Sequence, residues 1–392
     1  MSEQWGGEAI KALQIFSEFK KLNPNTIQIT HERCKAELSG RLNVDDVHYV
    51  RDTWVAKFLW RSKIFRKLID VWFSAKAIKL AEQLAALKGG ANRSTIIHQT
   101  EPNSPVVIRK LSNVCFNALG PINGNIYYPE LFRHSERIGD SLRRKLHLPI
   151  QRLSAVLFPQ RKKADLVLAA GGARTITSLI AAGYCRDNIK ETIDCGVRDE
   201  ILDQPRITHQ HQNFHFVHYG RLVYHKGTFL AIESLVQADD RVNLEIIGTG
   251  PELEVCRRLV QKLGLEKRVH FLGWFKSHRE LLDSLRKYRG MVLPTFEDAN
   301  GIVVQEALAI GLPPICLNWG GPQLLIEHGK TGFLIDPTSK ADITSKIAEA
   351  YDKLSHEPEL AEKMSMAGKA RAETWRWSKL ASEWIASYPQ AL

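Results

Sequence analysis

The chain has 392 residues, 44% hydrophobic and 25% charged, with a formal net charge of +11. That length suits two domains, or three, and the balance is that of a soluble globular protein with sizeable cores. No apolar run reaches the ~18–20 residues that span a bilayer, and Met1–Gly7 has no signal-peptide core. The six cysteines include no C-x-x-C pair, and their spacing suggests neither a zinc site nor a disulfide framework. These features predict a cytoplasmic protein, or one peripheral on the inner face of the cytoplasmic membrane. The charge is uneven: all of the positive excess lies in residues 1–200, and residues 201–392 balance. The two halves therefore face different partners.

In chain order, Glu8–Lys21 reads as an amphipathic helix, with Ile10, Leu13 and Phe16 on one side. Thr26–Thr30, Thr95–His98, Val114–Phe116 and Asp165–Ala169 are predicted strands. Helices are expected over 50–88, interrupted, and over 171–182. The polar segment Asp203–Thr208 separates the halves. Beyond it, strands at Phe214–Tyr219, Val242–Ile247, Val269–Leu272, Gly290–Leu293 and Pro314–Leu317 alternate with helices. Such alternation predicts βαβ units and a parallel sheet covered on both faces. After Asp336-Pro337 the chain reads as helical almost to its end, with Trp375, Trp377 and Trp384 in the last helix. The expected domains are 1–205, 206–372, and a C-terminal helix, 373–392, packing back on the first.

The strongest chemical signal is the nineteen-residue run Phe296–Pro314. A strand leads into an acidic loop, and the loop opens a helix. Gly301 lets a ligand approach the backbone, and the first helical N–H groups, with no partners inside the helix, suit a phosphate. Asn300, Gly301 and Ile302 are candidate donor-binding residues on that ground. Asp298 and Glu306 can accept hydrogen bonds from sugar and ribose hydroxyls. Taken alone, Asp298 reads equally as an N-cap and Glu306 as a solvated helix residue. The second signal is Gly220–Gly227, in which Arg221 and Lys226 stand at a helix start. Two cations there suit a diphosphate leaving group, Arg221 as a fork and Lys226 as a point charge. Gly248, in Ile247-Gly-Thr-Gly-Pro-Glu252, gives a nucleotide room, or makes a plain turn. Gly320-Gly321 opens a further helix.

These motifs resemble those of the retaining glycosyltransferases of family 4 (glycosyl transferases group 1). Asp298, seven residues, Glu306 and then Ala-Leu-Ala-Ile-Gly-Leu-Pro is similar to the family's E-x7-E and A-[LM]-A-x-G-x-P, with Asp in place of the first Glu. Glu297 offers a one-residue alternative. Gly220-Arg221 with Lys226-Gly227 is similar to G-R-x4-K-G. The motifs are specific over roughly 210–340 and loose over 1–200. The resemblance implies an α/β fold with two Rossmann-like domains facing across a cleft (GT-B). It places the first carboxylate on the transferred sugar and Glu306 on the ribose, with Arg221, Lys226, Asp298 and Glu306 as the catalytic set. It also places Gly6 and Gly7 against the donor diphosphate and His98 against the donor sugar, where a satisfied structural histidine is the bland alternative. Only Met1–Gln4 precede Trp5, so the strand expected ahead of the glycine pair is missing.

The implied partners are a nucleotide-sugar donor and a glycan or lipid-linked acceptor. No metal is expected, since nothing resembles a D-x-D site, and no cofactor, the nucleotide-sugar being a substrate. Residues 51–79 hold eight Lys/Arg among aromatic residues, and 133–163 hold nine. Both stretches suit an anionic membrane surface, or are core aromatics with a solvated basic face. A sugar-nucleotide epimerase or phosphorylase, a non-catalytic scaffold and a nucleic-acid binder are the rival readings. No helix-turn-helix, RNA-binding or zinc signature supports the last, so no nucleic acid is expected.

Overall fold

The structure, a computed structural model, describes residues 7–38, 40, 42–61, 68–100, 104–124, 126–136 and 138–389. The chain divides into two units. One comprises Met1–Asn125, Lys145–Gly196 and Trp377–Leu392, and the other Ile126–Arg144 and Val197–Arg376.

The first unit carries two separate parallel sheets. Strands β1 (Gln28–His31) and β2 (Val47–Val50) pair in one. Strands β3 (Ile96–Gln99), β4 (Phe116–Ile122), β5 (Leu166–Ala170) and β6 (Ile189–Thr192) form the other, in the order β3-β4-β5-β6. Every residue of β5 is buried, as a central parallel strand requires. The C-terminal Trp377–Ile385 helix lays Trp377 and Trp384 on Ile15 and Phe19 of the Gly7–Leu22 helix and on Leu168 of β5.

Two expectations change here. Strand β4 begins where the expected Val114–Phe116 strand ends and runs on through Gly120-Pro121. A bulge between Leu119 and Ile122 accommodates it. Trp375 lies before the last helix, and its carbonyl accepts from the Val197 N–H at 2.8 Å. Gly6 and the residues ahead of it lie outside the described residues.

The second unit holds one parallel sheet. Its strands are β7 (His215–Tyr219), β8 (Asn243–Ile247), β9 (Val269–Gly273), β10 (Gly290–Leu293), β11 (Pro314–Leu317) and β12 (Phe333–Ile335). Their order is β12-β11-β10-β7-β8-β9. The strand order therefore reverses between β7 and β10, which pair directly. In open α/β sheets the loops at the carboxyl ends of such a strand pair form the ligand crevice. The loops leaving β7 and β10 are the two that carry the cationic and acidic motifs.

Candidate functional site

The loop after β7 turns through Tyr224–Lys226 into Gly227, at φ 69°, which starts the Thr228–Ser234 helix. A Cβ on Gly227 would lie 2.2 Å from the Pro294 carbonyl oxygen. Glycine therefore lets the β7 loop press on the β10 loop. The contact is sealed by the Phe296 N–H, which donates to the His225 carbonyl at 2.9 Å. Across this seam the Lys226 ammonium stands 2.5 Å from Asp298 Oδ2. The other carboxylate oxygen, Oδ1, accepts from the N–H groups of Asn300 (3.2 Å) and Gly301 (2.9 Å).

Asp298 thus shapes the entry to the Ile302–Ile310 helix and pairs with a cation at once. Burial pushes its carboxyl up, but Lys226 and the two N–H groups outweigh burial and hold it below the usual carboxylate range. The N–H groups of Asn300 and Gly301, expected to face a phosphate, are turned to Asp298 here. Glu297 does not share the pairing with Lys226. It bonds the Tyr128 hydroxyl, and its carboxyl is raised by burial and by Asp140. Asp298 is therefore the carboxylate that meets the cation.

The Gly320-Gly321 pair seats on the same loop. The Gly321 N–H donates to the Asp298 carbonyl at 2.7 Å, and a Cβ on Gly320 would fall 2.6 Å from that oxygen. Arg221 is exposed, and its guanidinium has no hydrogen-bond or ion-pair partner among the described residues. Ile302 opens the helix with its side chain 39% exposed. Gly248 has a more local reason to be glycine than room for a ligand. At φ 146°, a Cβ there would lie 1.9 Å from the Gly220 carbonyl oxygen. The β8 turn packs onto the β7 turn through that position.

Glu306 is buried on the Ile302–Ile310 helix. His278 Nε2 lies 3.0 Å from its Oε1, and an Arg198 guanidinium nitrogen lies 2.7 Å from His278 Nδ1. Neither partner stands in a recognisable motif, and no spacing in the sequence points to them.

His98 belongs to the first unit. Its Nε2 lies 2.8 Å from the Gly120 carbonyl oxygen and its Nδ1 2.6 Å from the Tyr388 hydroxyl. A carbonyl only accepts, so Nε2 donates and Nδ1 accepts. Both nitrogens are committed, and burial pushes the ring down to about 4. As placed here, His98 is a satisfied neutral histidine, the bland alternative to a donor-sugar contact. Gly7 opens the Gly7–Leu22 helix, and Gly6 lies outside the described residues.

The basic stretches differ from one another. In 51–79, Trp72 and Phe73 pack on His31, whereas Trp54 and Phe58 are exposed. Phe65 lies outside the described residues. The 133–163 stretch is largely one helix, Ile138–Leu157. No described helix is long and apolar enough to cross a membrane. Among the described residues, no group of three or more His, Cys, Asp or Glu is placed to hold a metal.

Residues 199–371 match the family described as "Glycosyl transferases group 1". The chain is 32% identical over 176 residues to a GDP-mannose-dependent alpha-(1-6)-phosphatidylinositol monomannoside mannosyltransferase of Mycobacterium tuberculosis, covering 42% of this chain and 44% of that one. It is 25% identical over 236 residues to the alpha-D-kanosaminyltransferase of Streptomyces kanamyceticus, covering 59% and 52%. The matches thus span about half the length of these relatives. Among solved structures, Anabaena Alr3699/HepE in complex with UDP aligns at TM-score 0.65 and 18% identity, over 98% of this chain and 96% of that one. The apo lipopolysaccharide outer core galactosyltransferase WaaB aligns at TM-score 0.67 and 14% identity, over 97% and 95%. Residues 199–371 thus resemble the glycosyl transferases group 1 family, and the fold of the chain is the two-domain α/β fold of GT-B glycosyltransferases.

Proposed function

We propose that this protein transfers a sugar from a nucleotide-sugar donor to a glycan or lipid-linked acceptor. On this reading it is a retaining, family 4 enzyme of cell-surface polysaccharide or glycolipid synthesis, working in the cytoplasm. The observation that carries the reading is the Lys226–Asp298 pair at the strand-order reversal. A cation and a carboxylate meet at the mouth of a helix, where this sheet topology favours a phosphorylated ligand. The relatives act in the same sense: one is named for GDP-mannose, and HepE was solved with UDP.

In this mechanism Arg221 and Lys226 hold the departing diphosphate as charge develops on it. Asp298 accepts from hydroxyls of the transferred sugar, and Glu306 accepts from the ribose. The acceptor hydroxyl attacks on the face from which the phosphate leaves, and its proton passes to that phosphate. No metal enters the scheme, because cationic side chains neutralise the leaving group. Losing one such group costs ~10²–10³ in rate.

Thermal-shift screening against UDP, GDP, ADP and their sugar conjugates tests the reading. Ligand at about 100 times its Kd adds about 2.7 kcal/mol of stability. One nucleotide should shift the wild type and leave Arg221→Ala and Glu306→Ala unmoved. No shift with any nucleotide in a folded wild-type sample overturns the donor site.

A further inference from the structure

The Ile138–Leu157 helix is amphipathic in the wrong sense for a helix packed on a core. Its buried residues are Gln151 and Ser154, and the Ser154 hydroxyl accepts from the buried Arg161 guanidinium at 2.7 Å. Leu142, Leu146, Ile150, Leu153 and Leu157 are all exposed. They recur at steps of four, four, three and four, which places them along one stripe of an α-helix. Ile138, 90% exposed, extends the stripe at its start, and Val156, 77% exposed, widens it at its end. A continuous apolar stripe facing water on a globular protein marks an interaction surface.

The charges along this helix say what covers it. At about 100° per residue, exposed Arg143 falls on one margin of the stripe, and exposed Lys145 and Arg152 fall on the other. Arg144 is paired with Glu136. The helix has one acidic residue, Asp140, in its first turn. An apolar stripe bordered on both sides by cations matches a boundary where acyl chains meet anionic headgroups. A protein partner would have to supply a hydrophobic groove rimmed on both sides by acids, whereas an anionic bilayer presents that combination everywhere.

We propose that the Ile138–Leu157 helix is an interfacial anchor, lying in the surface of an anionic bilayer with its apolar stripe inserted and Arg143, Lys145 and Arg152 at headgroup level. The proposal does not rest on glycosyl transfer. Nucleotide-induced thermal shift on the same sample reports the donor site separately.

The test is co-sedimentation of the full chain with large unilamellar vesicles of phosphatidylcholine, with and without phosphatidylglycerol. Binding is expected only with phosphatidylglycerol, and weaker at high salt. Lys145→Glu/Arg152→Glu should lower the partition roughly fivefold or more per cation lost. Leu146→Gln/Leu153→Gln should lower it roughly tenfold per leucine. Both pairs are exposed, so melting temperature should stay at the wild-type value. Absence of binding to phosphatidylglycerol vesicles by the folded protein overturns the proposal. Binding that is unchanged in Leu146→Gln/Leu153→Gln does the same. A wild-type dimer that falls apart in that variant, without vesicle binding, would instead assign the stripe to a second copy of the chain.

Discussion

His278 donates to Glu306: its Nε2 lies 3.0 Å from the carboxylate, and its Nδ1 faces an Arg198 guanidinium nitrogen at 2.7 Å. A guanidinium only donates, so Nδ1 accepts and Nε2 carries the proton. The ring thereby holds one oxygen of Glu306. If Glu306 accepts from ribose, His278→Ala should weaken nucleoside-diphosphate binding about tenfold, the lower end of a hydrogen bond to a charged group. The preference for ribose over a 2′,3′-dideoxyribose nucleotide should shrink with it. Calorimetric titration of wild type, His278→Ala and His278→Gln checks this, with Gln recovering part of the loss. Equal preference in all three proteins would remove His278 from the site.

Lys226 and Asp298 should be energetically coupled. Removing one partner strands the other in a largely enclosed place, so Lys226→Met and Asp298→Asn should each cost about 2–3 kcal/mol, somewhat below a fully buried pair. The double variant should cost less than their sum, by about 1–3 kcal/mol. Urea unfolding of the four proteins closes the cycle, and additivity would show that the 2.5 Å contact contributes nothing. The depressed Asp298 carboxyl fixes the pH sign. Its contribution is complete above the ordinary carboxylate range and is lost as pH falls through the lowered native value. Asp298→Asn should therefore be less acid-sensitive than wild type.

The second unit could be read from sequence because its inner strands β10 and β11 are buried on both faces. Runs such as Gly290–Leu293 and Pro314–Leu317 are continuously apolar, and Gly311 ends the helix between them. Arg221, Lys226 and Asp298 stood out because each lies beside such a boundary, and Glu306 because of its spacing from Asp298. Strand β6, Ile-Lys-Glu-Thr, has no apolar run, since it is an edge strand with two exposed residues. Strand β2, Val-His-Tyr-Val, buries only its two end residues, so it has no continuous apolar run either. His278 and Arg198 reach Glu306 through tertiary packing, which leaves no local pattern. Nor does anything in 126–144 announce that this segment belongs to the second unit.

Gly248→Ala should destabilise the protein without touching any side chain. Its Cβ would meet the Gly220 carbonyl oxygen at 1.9 Å, and φ 146° is a conformation that alanine rarely adopts. Strain and displacement together should cost about 2–4 kcal/mol. Denaturant midpoints measure it. A wild-type midpoint would mean that the β7 and β8 turns separate freely.

Stability should fall between pH 6.5 and 4, in part because of His218. This fully buried ring lies 2.9 Å from the Val292 carbonyl oxygen and 3.0 Å from the Thr228 hydroxyl. Burial pushes it down to about 4. In that window the unfolded chain binds the proton and the native state does not, so acid favours unfolding by up to about 1.4 kcal/mol per pH unit. His218→Gln keeps hydrogen-bonding capacity without titrating. It should flatten the slope by one proton, and an unchanged slope would mean that other groups account for the acid loss.

Phe132 ties the 126–136 segment to the acidic loop. Its ring stacks on Phe296 at a centroid distance of 4.1 Å, and Tyr128 meets the same ring edge-on at 4.9 Å. The Trp319 indole donates to the Tyr127 carbonyl at 2.8 Å, which holds the segment against the residue preceding Gly320. One residue, Glu297, separates Phe296 from Lys226's partner, Asp298, so loss of the stack should be felt at the ion pair. Phe132→Ala should cost about 3–5 kcal/mol, the usual range for a buried phenylalanine. It should also weaken nucleotide binding, whereas Phe132→Leu, which keeps much of the volume, should lose less of both. Unfolding and titration together decide the matter. A variant that loses stability yet binds nucleotide like wild type would show that the segment supports the fold and leaves the acidic loop alone.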